Sequence, residues 1–190
     1  MATRGFLSFV TPADSAGSPA VEKTSYNHYD SFPDALGLAV LTWLHEAVED
    51  LEGLRRSAQA LRVVPPDARP TEEELAALPP SLKKGAGRDW LNLLWPIQGD
   101  PASLLEVGVI ADARDFPLTS TVAEWGYVID LVEKVFEVYV GGQPQPPRKG
   151  RFADREGVDG DHPVALLARW PLNALPSCEE FLEQTREQEE

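Results

Sequence analysis

The chain has 190 residues, 43% of them hydrophobic and 25% charged, an ordinary globular make-up at a length that one core can serve, so a single folded domain is expected and a disordered chain is excluded. Acidic residues outnumber basic ones 31 to 17, for a net charge of −14, which repels phosphate backbones and anionic lipid; nucleic acid and membrane surfaces are therefore poor partners. The single cysteine rules out an intramolecular disulfide, no stretch approaches the roughly 18 apolar residues of a membrane span, and no signal-peptide run opens the chain, so a cytoplasmic location is expected.

Residues 4–10 are apolar and β-favouring, a Pro/Gly/Ser-rich break follows at 11–19, and Val21 to Tyr26 is extended again; the pair predicts a hairpin with a long loop. The period then changes. Leu36, Val40, Leu41, Leu44, Val48 and Leu51 recur at helical spacing behind Ser31 and Pro33 as cap and first-turn residues, and Gly53 is expected to limit or bend that helix. Residues 62–88, rich in proline and glycine, read as a surface excursion around a short helix with Thr71 and Glu74 in the capping-box relation. Trp90, Leu91, Leu94 and Trp95 form one apolar helical face that Pro96 stops, and Asp100-Pro101 starts another short helix to about Val107.

The clearest strand signal is the alternation of Trp125, Tyr127, Ile129 and Leu131 with Glu124, Gly126, Val128 and Asp130, followed by Phe136, Val138 and Val140; a turn at 132–134 makes an antiparallel hairpin. Residues 142–162 have no period and predict a long loop. Val164 to Trp170 is expected to return as a strand, and Ser177 with Glu180 caps a C-terminal helix that frays over 186–190. Strands and helices do not alternate strictly, so the expected fold is α+β: a mainly antiparallel sheet with helices packed on one face.

Chemistry concentrates in Tyr26-Asn27-His28-Tyr29-Asp30-Ser31-Phe32-Pro33, where a strand hands over to a helix. If the chain stays extended there, His28 and Asp30 point to one side, so the carboxylate can orient the imidazole or both can approach a cation. Tyr26, Asn27 and Ser31 are candidate ligand-binding groups beside them. Glu124 is a candidate third member of a carboxylate/imidazole set for general acid–base work or a divalent metal, provided the later hairpin lies beside the first strands. The plainer alternative is a capped helix with core aromatics. The acidic loop Asp154 to His162 lacks the ligand spacing of a calcium loop. Cys178 is expected to be a half-buried structural thiol and His45 structural.

Thr3-Arg4-Gly5, Tyr26-x-His28-x-Asp30-Ser31-Phe32-Pro33, Leu36-Gly37 and the hairpin from Glu124 to Tyr139 resemble short proteins of phages and bacteria, actinobacteria in particular, with an N-terminal Thr-Arg-Gly and a Tyr-x-His-x-Asp-Gly/Ser-Tyr-Pro motif. The resemblance covers about the first 45 residues and the 120s to 140s, and Phe32 stands where those chains carry Tyr. It implies no particular activity. Two functions fit the sequence: a polar small-molecule or metal-assisted, hydrolase-like site around His28 and Asp30, or a non-catalytic acidic domain that engages a protein partner through salt-sensitive contacts.

Overall fold

Five strands form one mixed sheet in the order β2-β1-β5-β6-β7, made of β1 Gly5–Thr11, β2 Val21–Asn27, β5 Trp125–Asp130, β6 Val135–Val140 and β7 Ala165–Pro171. The computed structural model describes residues 3–13, 15, 17–83 and 89–186; most of the expected fray at 186–190 and the glycines at 85 and 87 lie outside them. Three of the four pairings are antiparallel and β1 runs parallel to β5. The fold is thus α+β with a mainly antiparallel sheet, as the residue patterns imply.

Each face of the sheet has its own cover. Leu7, Phe9, Trp125, Tyr127, Ile129, Phe136 and Val138 point to the helical layer, where they meet Val40, Leu41, Leu44, Leu54 and Phe181. That layer comprises α1 Leu38–Ala47, α2 Leu51–Ala60, α5 Pro101–Val107 and α6 Cys178–Arg186. The alternate residues Phe6, Val10, Val128 and Tyr139 point the other way and are covered by Phe152 and Val164 from the long loop.

The loop is held there by charge as well as by packing. Arg151 Nη2 donates to Asp130 Oδ2 and its Nε to Glu137 Oε2, both at 2.7 Å, while Arg169 reaches the other Glu137 oxygen at 3.2 Å. Asp130 and Glu137 are only 3% and 4% exposed, so Arg151 neutralises two carboxylates that burial would otherwise leave very unfavourable. The loop therefore acts as the second layer of the fold.

The first long helix differs from expectation. Pro33–Gly37 is a π-helical turn with Phe32 before it and no side-chain cap, α1 ends at Ala47, and a 3₁₀ turn over Val48–Asp50 leads into α2. The break comes at Asp50, whose carboxylate caps α2 by accepting from Gly53 N at 2.9 Å; Gly53 sits inside the first turn because a side chain there would collide with that carboxylate. The C-terminal end of α2 is closed by Lys23 of β2, whose Nζ donates to Ala58 O, Gln59 O and Leu61 O at 3.1, 2.7 and 2.7 Å. An ammonium at that end answers the helix dipole and three carbonyls together, Ala58 O also accepting from Leu61 N.

Residues 62–88 also depart from a simple surface excursion. β3 Arg62–Val64 pairs in parallel with β4 Val109–Ala111 as a second, two-stranded sheet. Val64, Leu78 and Leu82 bury a small core there with Trp90, Leu93 and Leu94 of α4 (Trp90–Leu94). The capping boxes at Thr71/Glu74, which opens α3 Glu72–Ala77, and at Ser177/Glu180 both form.

Candidate functional site

The junction after β2 is fixed by contacts among the sequence pieces singled out above. Ser31 N donates to Thr3 O at 3.3 Å, and Tyr127 Oη donates to Ser31 O at 2.8 Å. Gly5 lies so close that a Cβ there would stand 2.6 Å from the Ser31 Cβ, and a Cβ on Gly37 would meet Tyr127 Oη at 2.9 Å. The glycines are there for close approach, and Ser31, fully buried, is a packing residue rather than a cap or a solvent-facing ligand group.

Within that frame the polar side chains divide. Tyr26 Oη and His28 Nδ1 are 2.6 Å apart. Burial raises the Tyr26 phenol pKa, with Arg4 pulling against it and Tyr29 adding to it, so the phenol keeps its proton; with His28 protonated on Nε2 that proton goes to Nδ1, and with His28 protonated on Nδ1 the imidazole donates to the phenolic oxygen. His28 Nε2 has no hydrogen-bond partner among the described residues. Trp95 and Tyr29 flank the imidazole at ring distances of 4.7 and 4.4 Å.

Asn27 is 7% exposed, and its Nδ2 donates to Tyr29 O at 2.5 Å and to Ser31 Oγ at 2.7 Å. A carbonyl can only accept, so the bond to Tyr29 O fixes which end of the amide is nitrogen.

Among the described residues no hydrogen bond or ion pair joins Asp30 to His28, whose imidazole bonds Tyr26 instead. The Asp30 φ of 50° turns the backbone out of the strand, a conformation aspartate tolerates better than most residues. The carboxylate is exposed and unpaired among the described residues.

Glu124 lies at the same end of the sheet but does not join His28 and Asp30. The register sets Gly5 opposite both Asn27 and Trp125, so the Arg4 strand stands between Glu124 and His28, two strand spacings or about 10 Å across. The Glu124 carboxylate accepts from Arg4 N at 3.1 Å instead. Among the described residues no group of three or more His, Cys, Asp or Glu side chains is placed to hold a metal ion, so the expected ligand set of His28, Asp30 and Glu124 is not assembled.

Two cavities flank the junction. The first, about 340 Å³, is mostly apolar, walled by Tyr26, Phe116, Leu91, Leu94 and Pro66, with Ser25, Gln98, Thr119 and the carboxylates Asp112 and Asp115 as polar points, Asp112 being paired with Arg114. Tyr26 packs edge-on against Phe116 at 4.9 Å. The second, about 330 Å³, lies on the other side of the chain against Asn27, Tyr29, Asp30, Trp43 and Gly99.

No family model, curated protein or solved structure matches the chain. The site is therefore read from its own geometry.

Sequence reasoning missed Trp95, Phe116 and Gln98. Trp95 belongs by spacing to the buried face of α4, yet that helix ends at Leu94 and the indole turns outward, 36% exposed, onto His28. Elsewhere His45 Nε2 lies 3.0 Å from Pro176 O, tying α1 to the lead-in of α6. Cys178 is exposed rather than half-buried, and Asp161 of the acidic loop is engaged by Thr121, Ser120 and His162 N. Among the described residues no helix is long and apolar enough to cross a membrane.

Proposed function

We propose that the chain binds a small organic molecule in the apolar cleft beside the β2 end, with the Tyr26 hydroxyl as its polar anchor and His28 as the residue that positions that hydroxyl. The observation that carries this reading is the 2.6 Å Tyr26–His28 bond at the edge of a cleft of about 340 Å³, a volume in the range of small-molecule sites with apolar walls and few polar groups. In the His28 tautomer protonated on Nε2, which this reading uses, the phenol donates to Nδ1 and its lone pairs remain to accept from a ligand. In the hydrolase-like extension of the same reading, a ligand O–H or N–H passes its proton to the Tyr26 oxygen as the Tyr26 proton moves to His28 Nδ1, so His28 serves as the general base and holds the extra proton until Nε2 releases one to solvent.

The test is a fragment screen by heteronuclear NMR using neutral aromatic compounds that each carry one hydrogen-bonding group. Binders are expected to shift the Tyr26 and Phe116 ring signals together with His28. Ala113→Phe, which fills the cleft from a half-buried position, should abolish those shifts, and Tyr26→Phe should weaken binding about tenfold, the worth of one well-made hydrogen bond. Binders that shift only residues remote from this cleft, or that ignore Ala113→Phe, would remove the proposal.

A further inference from the structure

The second cavity differs from the first in its chemistry. It lies between the β2 end, the start of α1 and the link from α4 to α5, and it is lined by Asn27, Tyr29, Asp30, Trp43 and Gly99 among others, with no lysine or arginine. Asn27 is more than nine-tenths buried, and with Nδ2 committed to Tyr29 O and Ser31 Oγ its Oδ1 is left as an acceptor without a partner among the described residues. That oxygen faces Gly99, where a Cβ would stand 2.9 Å from it. Gly99, at φ 77°, supplies the left-handed turn and leaves the oxygen uncovered. The oxygen is not sealed from solvent, so the cavity gives a ligand donor access to it.

The other polar groups point to what fills it. Asp100 also lines the cavity, but its carboxylate is used by α5, accepting from Ala102 N, Ser103 N and Ser103 Oγ. The Asp30 carboxylate is not used in this way. The lining therefore offers an unpartnered amide oxygen, an uncompensated carboxylate and the rings of Tyr29 and Trp43. Acceptors, negative charge and aromatic rings together suit one class of ligand, an organic cation, since ring quadrupoles attract ammonium and guanidinium groups. An anionic ligand would meet like charge and no cationic partner.

We infer that the cavity formed by Asn27, Asp30, Tyr29 and Trp43 is a binding site for a small organic cation of the ammonium or guanidinium type. This rests on the second cavity alone and is independent of the ligand proposed for the apolar cleft.

Titrating the full chain with choline, and separately with its uncharged isostere in which a quaternary carbon replaces the nitrogen, tests it by NMR on the Asn27 side-chain amide and the Trp43 indole. Choline should give a saturable shift of both signals, and the isostere should bind at least tenfold more weakly. Asp30→Asn keeps shape and tolerates the positive φ, and it should also cost about tenfold in choline affinity. Ala39→Phe, at an exposed position of α1 that lines the cavity, should abolish binding, while Ala113→Phe in the other cleft should leave it unchanged. Equal binding of the isostere, an unchanged affinity in Asp30→Asn, or no saturable shift at Asn27 overturns the inference; the isostere comparison needs no variant, so it holds even where a substitution fails to fold.

Discussion

Two clusters of charged and polar groups lie on this sheet, and they are built in opposite ways. Around Arg151 every oxygen of Asp130 and Glu137 has a donor: Asp130 Oδ1 takes Val132 N and Glu133 N, Oδ2 takes Arg151, and Glu137 is shared among Arg151, Arg169 and Tyr139. At the β2 end, by contrast, the His28 Nε2, the Asn27 Oδ1 and the Asp30 carboxylate have no protein partner among the described residues. A closed network specifies the fold and has nothing left to offer a ligand. An open one next to two cavities does have something to offer, and this difference, more than the mere presence of titratable residues, separates structural from functional polarity here.

The largest effect should come from opening the closed network. Arg151→Met leaves Asp130 buried without its cation and Glu137 with Arg169 alone, and should lower the unfolding free energy by about 3–5 kcal/mol, the usual cost of breaking a buried ion pair from one side. Urea unfolding monitored at Trp170 and Trp125 measures it. Adding Asp130→Asn and Glu137→Gln to that variant should restore part of the loss, since the charges that lost Arg151 are then gone. A loss no greater than that of an ordinary surface substitution would show that the network contributes little, and the contrast drawn above would fail.

A smaller effect concerns pH. Burial raises the Tyr139 phenol, with Glu137 adding to it, and burial raises Tyr127 well above the ordinary value of 10.0. In each case the folded state holds the proton more tightly than the unfolded chain does. The stability tied to these phenols is therefore complete below pH 10 and is lost as pH rises above it toward the folded pKa. The steepest slope is about 1.4 kcal/mol per pH unit for each phenol. Unfolding free energies measured across the alkaline range should show this fall, and Tyr139→Phe should flatten it by the share of one phenol. An unchanged slope in that variant would mean Tyr139 titrates alike in both states.

Much of the scaffold is legible in the chain, and the reasons are local. The alternation in β5 and β6, the capping residues Thr71 and Ser177, and the Asp100-Pro101 start all write their structure into neighbouring residues. What is not legible depends on partners far along the chain. β3 and β4 have three residues each and no period to detect, and each becomes a strand only because the other is there. Phe152 and Arg151 sit in a stretch of Gly, Pro and Arg without pattern, and their role follows from the sheet face waiting beneath them. The candidate site divides in the same way. The strand-to-helix junction is visible from the residue types, but the φ of Asp30 ends the extended run on which its pairing with His28 was expected, the Arg4 strand keeps Glu124 away, and Trp95 and Phe116 arrive only through tertiary packing.

The smallest expected effect is the one that bears most directly on function. Among the described residues the His28 imidazole makes a single hydrogen bond, with the Tyr26 hydroxyl, and its ring rests between two exposed aromatics, Tyr29 and Trp95. Removing it by His28→Ala breaks one neutral hydrogen bond whose remaining partner can turn to water, so the unfolding free energy should fall by about 1 kcal/mol or less. The Tyr26 hydroxyl, no longer held, should show altered ring signals, and fragments bound in the apolar cleft should lose affinity although none of the residues walling it has changed. A stability loss as large as that of Arg151→Met, with fragment binding untouched, would put His28 with the closed network and leave the junction a structural feature of the fold.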